Sequence, residues 1–152
     1  LALDPESIDI KYNLGVAFGK KGMLDDSIAA YEQVLAVNPR HAQAHNNLGI
    51  TYEKKGMAEK AHSEYEKAVS ADPNLAPALY NLGKSYLTRG AHDQAADYLY
   101  KAGLLFHKSK NKEWAKKSYD LLKQTNAGER EKELNELLNP DSNGPGKEKI
   151  SK

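Results

Sequence analysis

The sequence predicts an all-α protein built as a solenoid of antiparallel helix pairs, and three observations carry that prediction. The phrase YNLGVAFGKKG at residues 12–22 returns as NNLGITYEKKG at 46–56 and as YNLGKSYLTRG at 80–90, each 34 residues on and without an insertion. Pro5, Pro39 and Pro73 keep the same period. Within each period, two segments of about 14 residues place apolar side chains at helical spacing on either side of Gly22, Gly56 or Gly90.

Taken in order, residues 1–7, which open on LALDP, read as the end of a preceding, truncated repeat, so the array is expected to begin upstream. The first helix of each pair carries Leu14 with Phe18, Leu48 with Tyr52, or Leu82 with Tyr86, four apart and therefore on one face. Beside that face lie Gly15, Gly49 and Gly83. A glycine inside a helix costs about 1 kcal/mol relative to alanine, so its compensation should be close approach of the partner helix. On the second helices Ser27, Ala61 and Ala95 are small at the expected crossing, and Tyr31, Tyr65 and Leu99 follow four residues later as the matching large side chains. Asp25, Glu59 and Asp93 sit in the first turn, where a carboxylate complements the free N–H groups and the positive end of the helix dipole. Pro39 and Pro73 end the second helices.

The period, the Leu-Gly pair, the aromatic that follows it, the small residue before Tyr and the closing Pro together resemble the tetratricopeptide repeat (TPR) family over residues 8–107. Lys11, His45 and Leu79 stand where that family often has Trp. The resemblance implies a right-handed superhelical TPR solenoid with repeats at 8–41, 42–75 and 76–109, followed by C-terminal helices at 110–139 that cap the array. His107 replaces the closing Pro of the third repeat, so the helix beginning near His92 should run on. Ala102, Gly103 and Phe106 repeat the Leu-Gly-aromatic phrase within it, and Ala115, Tyr119 and Leu122 the second-helix pattern. One long helix, a turn at KSKN and a helix over 111–125 are expected. A turn at Asn126, Ala127 and Gly128 precedes a short helix with Leu134, Leu137 and Leu138 on one face. Such a helix covers the last apolar face of the solenoid. Residues 140–152, rich in Pro, Gly and polar side chains, are expected to be disordered.

Composition fits a folded soluble protein and does not call for nucleic acid, because the formal charge is only +1. That charge is uneven: residues 1–100 hold 10 Lys and Arg against 13 Asp and Glu, whereas residues 101–123 hold seven Lys against Glu113 and Asp120. These lysines are read as a solvated helical face. No apolar run reaches the roughly 18 residues of a membrane span, so no membrane insertion is expected. The compartment is open, with a soluble, cytoplasmic setting favoured. The lack of cysteine rules out thiolate metal sites, and His41 with His45 lacks the third ligand of a metal motif, so a structural role is favoured for His45. No phosphate-binding glycine loop or nucleophile elbow is present, and neither an enzyme nor a cofactor is expected. Trp114, the single tryptophan, is read as a core residue of the capping helices, with an exposed partner anchor as the other reading.

Function then falls to the concave wall, which in such solenoids is lined by the first helices. The resemblance places Asp9, Tyr12, Asn13, Val16 and Lys20 there, then Gln43, Asn46, Asn47, Ile50 and Lys54, then Pro77, Tyr80, Asn81, Lys84 and Thr88. Asn13, Asn47 and Asn81 precede their Leu-Gly pairs in phase, and each amide can both donate to and accept from an extended peptide backbone. That row resembles the asparagines of the repeat domain in the glycosyltransferase that attaches N-acetylglucosamine to serine and threonine. The clamp with which some TPR domains grip acidic chaperone tails is largely missing. Asn47 matches one of its members, while Tyr12, Val16, Pro77 and Asn81 occupy the other four places. The expected function is a protein-protein interaction scaffold that binds an extended peptide or a helix of a partner protein. The alternatives are the repeat segment of a larger enzyme, or a TPR adaptor that forms a homo-oligomer through the uncapped N-terminal end near Ile8 and Ile10.

Overall fold

The computed structural model describes residues 5–140, with side chains from residue 7. The first four residues of the expected truncated repeat, and the tail expected to be disordered from residue 141 on, lie outside the described residues. Among the described residues eight α-helices follow one another: α1 (Pro5–Lys21), α2 (Leu24–Val37), α3 (Ala42–Lys54), α4 (Ala58–Ala71), α5 (Ala76–Thr88), α6 (His92–Lys108), α7 (Lys112–Leu122) and α8 (Gly128–Leu138). They form three antiparallel hairpins stacked in a right-handed superhelix, closed by α7 and α8.

Each hairpin turns on a glycine in the left-handed region, with φ of 77° at Gly22, 79° at Gly56 and 75° at Gly90. At the second turn Gly56 N donates to Glu53 O and Met57 N to Tyr52 O, both at 2.9 Å, so the last carbonyls of α3 are satisfied as the chain reverses. The in-helix glycines do the work their sequence position implies. A Cβ on Gly15 would lie 2.6 Å from Tyr31 Cε1, one on Gly49 2.5 Å from Tyr65 Cε1, and one on Gly83 2.8 Å from Leu99 Cγ. Ser27 adds a polar tie at the same crossing, its buried hydroxyl donating to Gly15 O at 2.8 Å. The first-turn carboxylates gain partners that the sequence did not announce. Asp25 pairs with Lys55 and Glu59 with Arg89, so the starts of α2 and α4 are clasped to the ends of α3 and α5.

Three details differ from expectation. Pro5 stands at the first position of α1, so this helix starts ahead of the expected repeat boundary at residue 8; a proline there loses no hydrogen bond. Leu14 is 46% exposed, not packed, because among the described residues nothing covers that face of α1. In α8, Leu134 is fully buried and Leu138 half-buried, but Leu137 is 41% exposed. Residues four apart share the inward face, and one three positions on is rotated off it. As expected, α6 runs on for 17 residues, and Gly103 in its second reading accepts α8: a Cβ there would meet Leu134 Cδ2 at 2.6 Å.

Tyr65 is fully buried and its hydroxyl donates to Glu53 at 2.8 Å, so its ring cannot swing aside. Gly49→Ala is therefore expected to destabilise the fold by about 1–3 kcal/mol through overpacking, against the roughly 1 kcal/mol that alanine's helix propensity offers. Denaturant unfolding followed by far-UV circular dichroism checks it, and a stabilised variant would refute the close-approach account.

Candidate functional site

The concave groove is a cleft of about 410 Å³. Its floor is Tyr12 from α1, Gln43, Asn46, Asn47 and Ile50 from α3, and Pro77 and Asn81 from α5. Leu75 closes one side, and Phe106, Asn111 and Trp114 at the α6–α7 corner form an end wall. Asn111 caps α7, its side chain accepting from Trp114 N at 3.3 Å, and so sets the wall's geometry.

The floor amides form a directed chain. Asn81 Nδ2 donates to Asn46 Oδ1 at 2.9 Å, Asn46 Nδ2 to Asn47 Oδ1 at 3.3 Å, and Asn47 Nδ2 to the Tyr12 hydroxyl at 2.9 Å. Asn46 and Asn81 are buried, while Asn47 is half-buried. The Tyr12 ring stacks on His41 with centroids 5.2 Å apart. A phenol that accepts from Asn47 still has its own proton to donate into the cleft.

Of the residues expected on the wall, Tyr12, Gln43, Asn46, Asn47, Ile50, Pro77 and Asn81 come together in this cleft. Asn13, Lys20 and Asp9 are exposed outside it, and Val16 is half-buried against the core cluster that contains Tyr31 and Val34. Lys54 reaches back toward Gly19 O at 3.5 Å. Lys84 pairs with Glu53 at 2.6 Å, and Thr88 bonds back to Lys84 O. Burial favours the neutral acid of Glu53, but bonds from Lys84 and Tyr65 outweigh it and hold its pKa below the usual range. Tyr80 meets Trp114 edge-on at 5.2 Å.

Trp114 corrects the expectation of a core plug. It is 36% exposed, held between Tyr80 and Phe106, with Lys117 Nζ 4.3 Å over its ring. Phe106, Asn111 and Leu75 were missed as groove residues. The in-phase pattern was read along the first helices alone, whereas Leu75 lies in the loop before α5 and the end wall is made at the α6–α7 corner, where the period breaks.

His45 is bonded through both ring nitrogens, Nδ1 to Glu64 Oε2 at 2.6 Å and Nε2 to Pro39 O at 2.9 Å. Only an imidazolium donates on both sides. Burial opposes the charge, but Glu64 and the Pro39 carbonyl outweigh it and lift the His45 pKa. Burial likewise opposes the Glu64 carboxylate, which bonds from His45 and Lys67 nevertheless hold below its ordinary value. Among the described residues no group of three or more potential metal ligands occurs, and no helix is long and apolar enough to cross a membrane.

The tetratricopeptide repeat family matches residues 12–76 and again residues 64–117, so the two matches together run across all three hairpins. The chain belongs to the TPR family. Solved TPR structures share its architecture. PcrH from Pseudomonas aeruginosa superposes with a TM-score of 0.73 at 21% identity, covering 82% of this chain and 96% of PcrH. SycD, the type III secretion chaperone of Yersinia enterocolitica, in complex with a peptide of the translocator YopD, gives 0.74 at 16%, covering 82% and 96%. The TPR2B domain of yeast Sti1, in complex with pHsp70, gives 0.71 at 18%, covering 79% and 96%. Among curated proteins no sequence matches.

The raised His45 pKa means its stabilisation is fully present below the unfolded histidine value, about 6.5, and is lost as pH rises through the folded value. The depressed Glu64 pKa means its stabilisation is present above the unfolded value, about 4.3, and is lost as pH falls through the folded one. The difference in melting temperature between the native chain and His45→Leu/Glu64→Tyr, which copies Leu79 and Tyr98 of the third repeat, should therefore favour the native chain most between about pH 4.5 and 6.5. A gap that stays constant up to pH 9 would mean that His45 is neutral.

Proposed function

We propose that the groove binds an extended segment of a partner protein, without catalysis. The observation that carries this reading is the combination of an oriented amide floor with an aromatic end wall. The chain Asn81–Asn46–Asn47–Tyr12 fixes which way each amide points, leaving donors and acceptors of set polarity for a peptide backbone. Ile50, Pro77 and Trp114 supply apolar contact for side chains. The peptide and partner segments in the SycD and Sti1 complexes support the class of ligand. The acidic-tail clamp does not carry over, since Tyr12, Val16, Pro77 and Asn81 stand at four of its five places.

Peptides selected on the full chain by phage display should bind at least about tenfold more weakly to Asn47→Ala and to Trp114→Ala, with unchanged helicity, as truncating a central contact requires. Asn81→Ala is the poorer test, because it removes the buried partner of Asn46. Blue-shifted Trp114 emission on titration reports the same occupancy in the native chain. Peptides that bind both variants as tightly as the native protein would place the ligand elsewhere.

A second reading, self-association, is favoured by the open face of α1. Ile10 is 56% and Leu14 46% exposed, whereas their counterparts one and two repeats on, Ala44 and Leu48, Ala78 and Leu82, are all buried by the preceding hairpin. We propose that a second copy covers this face. Light scattering over a concentration series should give a rising mass for the native chain and a monomer for Leu14→Glu, and a monomer in both cases discards this reading.

A further inference from the structure

We propose that the cavity between α7 and α8 is a second docking site, for an acidic segment of a partner protein that carries a large apolar side chain. It goes beyond the groove reading and does not rest on it. The cavity measures about 550 Å³. Tyr119, Leu137 and Leu138 give it apolar walls; Lys112 and Lys116 line it as well, together with Lys123 and the Asp120 carboxylate that Lys123 pairs with.

Charge identifies the occupant. Both acids of residues 101–123 are matched by their own helix, Glu113 with Lys117 at 2.7 Å and Asp120 with Lys123 at 3.0 Å. The surplus is left on lysines that have no acidic partner among the described residues, and two of them, Lys112 and Lys116, stand one turn apart at this rim. Concentrated positive charge beside low-dielectric walls attracts carboxylates. The apolar walls exclude a bare polyanion. Leu137 exposes 41% of its surface at this place, which a bound Leu or Phe would remove from water. A small-molecule site would also need converging buried polar groups to fix orientation. Here the cationic groups are exposed side chains at the rim, the arrangement that recognises a peptide.

The two sites lie on opposite faces of one helix. Residues 112, 116, 119 and 123 form a single stripe along α7 and its 3₁₀ extension at Lys123–Thr125, and Trp114 lies about half a turn away, facing the concave groove. Occupancy of one site therefore does not block the other.

The test uses the full chain and fluorescein-labelled peptides in which Glu alternates with Leu or Phe, followed by fluorescence anisotropy. Lys112→Glu/Lys116→Glu and Leu137→Ser, all at exposed positions, should each weaken binding about tenfold or more, binding should fall with added salt, and Ile50→Asp should leave it unchanged. Peptides with Gln for Glu, or with Ser for Leu and Phe, should bind at least about tenfold more weakly. Indifference to the lysine and Leu137 variants, sensitivity to Ile50→Asp, or equal binding of the Ser peptides would overturn the proposal. So would a tenfold gain on removing residues 141–152, which would make the chain's own tail the occupant.

Discussion

The close approach of a glycine in each first helix to a large side chain of its partner is the constraint on which the other features depend. Gly49 against Tyr65 brings α3 and α4 to a separation that any Cβ would forbid, and Gly15 with Tyr31 and Gly83 with Leu99 repeat it. With that spacing set, each first helix buries the side carrying Leu48 or Leu82 and turns the side carrying Asn47 or Asn81 toward the concave surface. The groove is thus a consequence of how hairpins pack, and its polar floor is what remains of those helices after the core is filled. The ion pairs Asp25–Lys55 and Glu59–Arg89 then join successive hairpins at the surface, where exposure and screening limit each to a small contribution.

Much of the fold was legible because repetition multiplies weak signals. One glycine inside a helical pattern is ambiguous, whereas three in phase, each followed by a small-then-large pair, define a crossing. The candidate site was legible only in part, for a different reason. Position in the repeat says which face a residue occupies but not which neighbours it meets. Asn13, Asn47 and Asn81 look equivalent in sequence, yet Asn13 is exposed outside the cleft and Asn81 is buried against Asn46, because α1 and α5 have different neighbours along the array. Trp114 could not be placed by phase because it lies beyond the last regular repeat, and Phe106 because it stands at the end of the third repeat, where the closing proline is missing.

Differences between the copies show where the array departs from a uniform wall. The second repeat sets His45 against Glu64, while Leu79 in the third repeat packs with Ala102 and Phe106, and Tyr98 packs partly against them. An apolar cluster holds by area alone, whereas the ion pair holds only while both ring nitrogens donate. The His45 ring reaches Pro39 in the loop after α2 as well as Glu64 in α4, so its bonds couple three segments that apolar contact would merely place side by side. A charged pair of this kind is weak evidence for added stability but strong evidence for geometric definition, because any shift of α3 leaves a buried charge unpaired.

The break in the repeat at the third hairpin accounts for both candidate docking sites. Without the proline that would close it, α6 runs on to Lys108, and its second Leu-Gly-aromatic phrase recruits α8 rather than another full hairpin. Phe106 and Gly103 then face different neighbours: Phe106 meets Trp114 in the groove's end wall, and Gly103 seats Leu134. Once Leu134 and Leu138 are drawn inward, helical geometry leaves Leu137 at the rim beside the lysines of α7. A capping helix needs a polar outer face to end a solenoid. Here that face is basic on α7 and interrupted by an exposed leucine on α8, so the termination of the array supplies a second surface as well as covering the first.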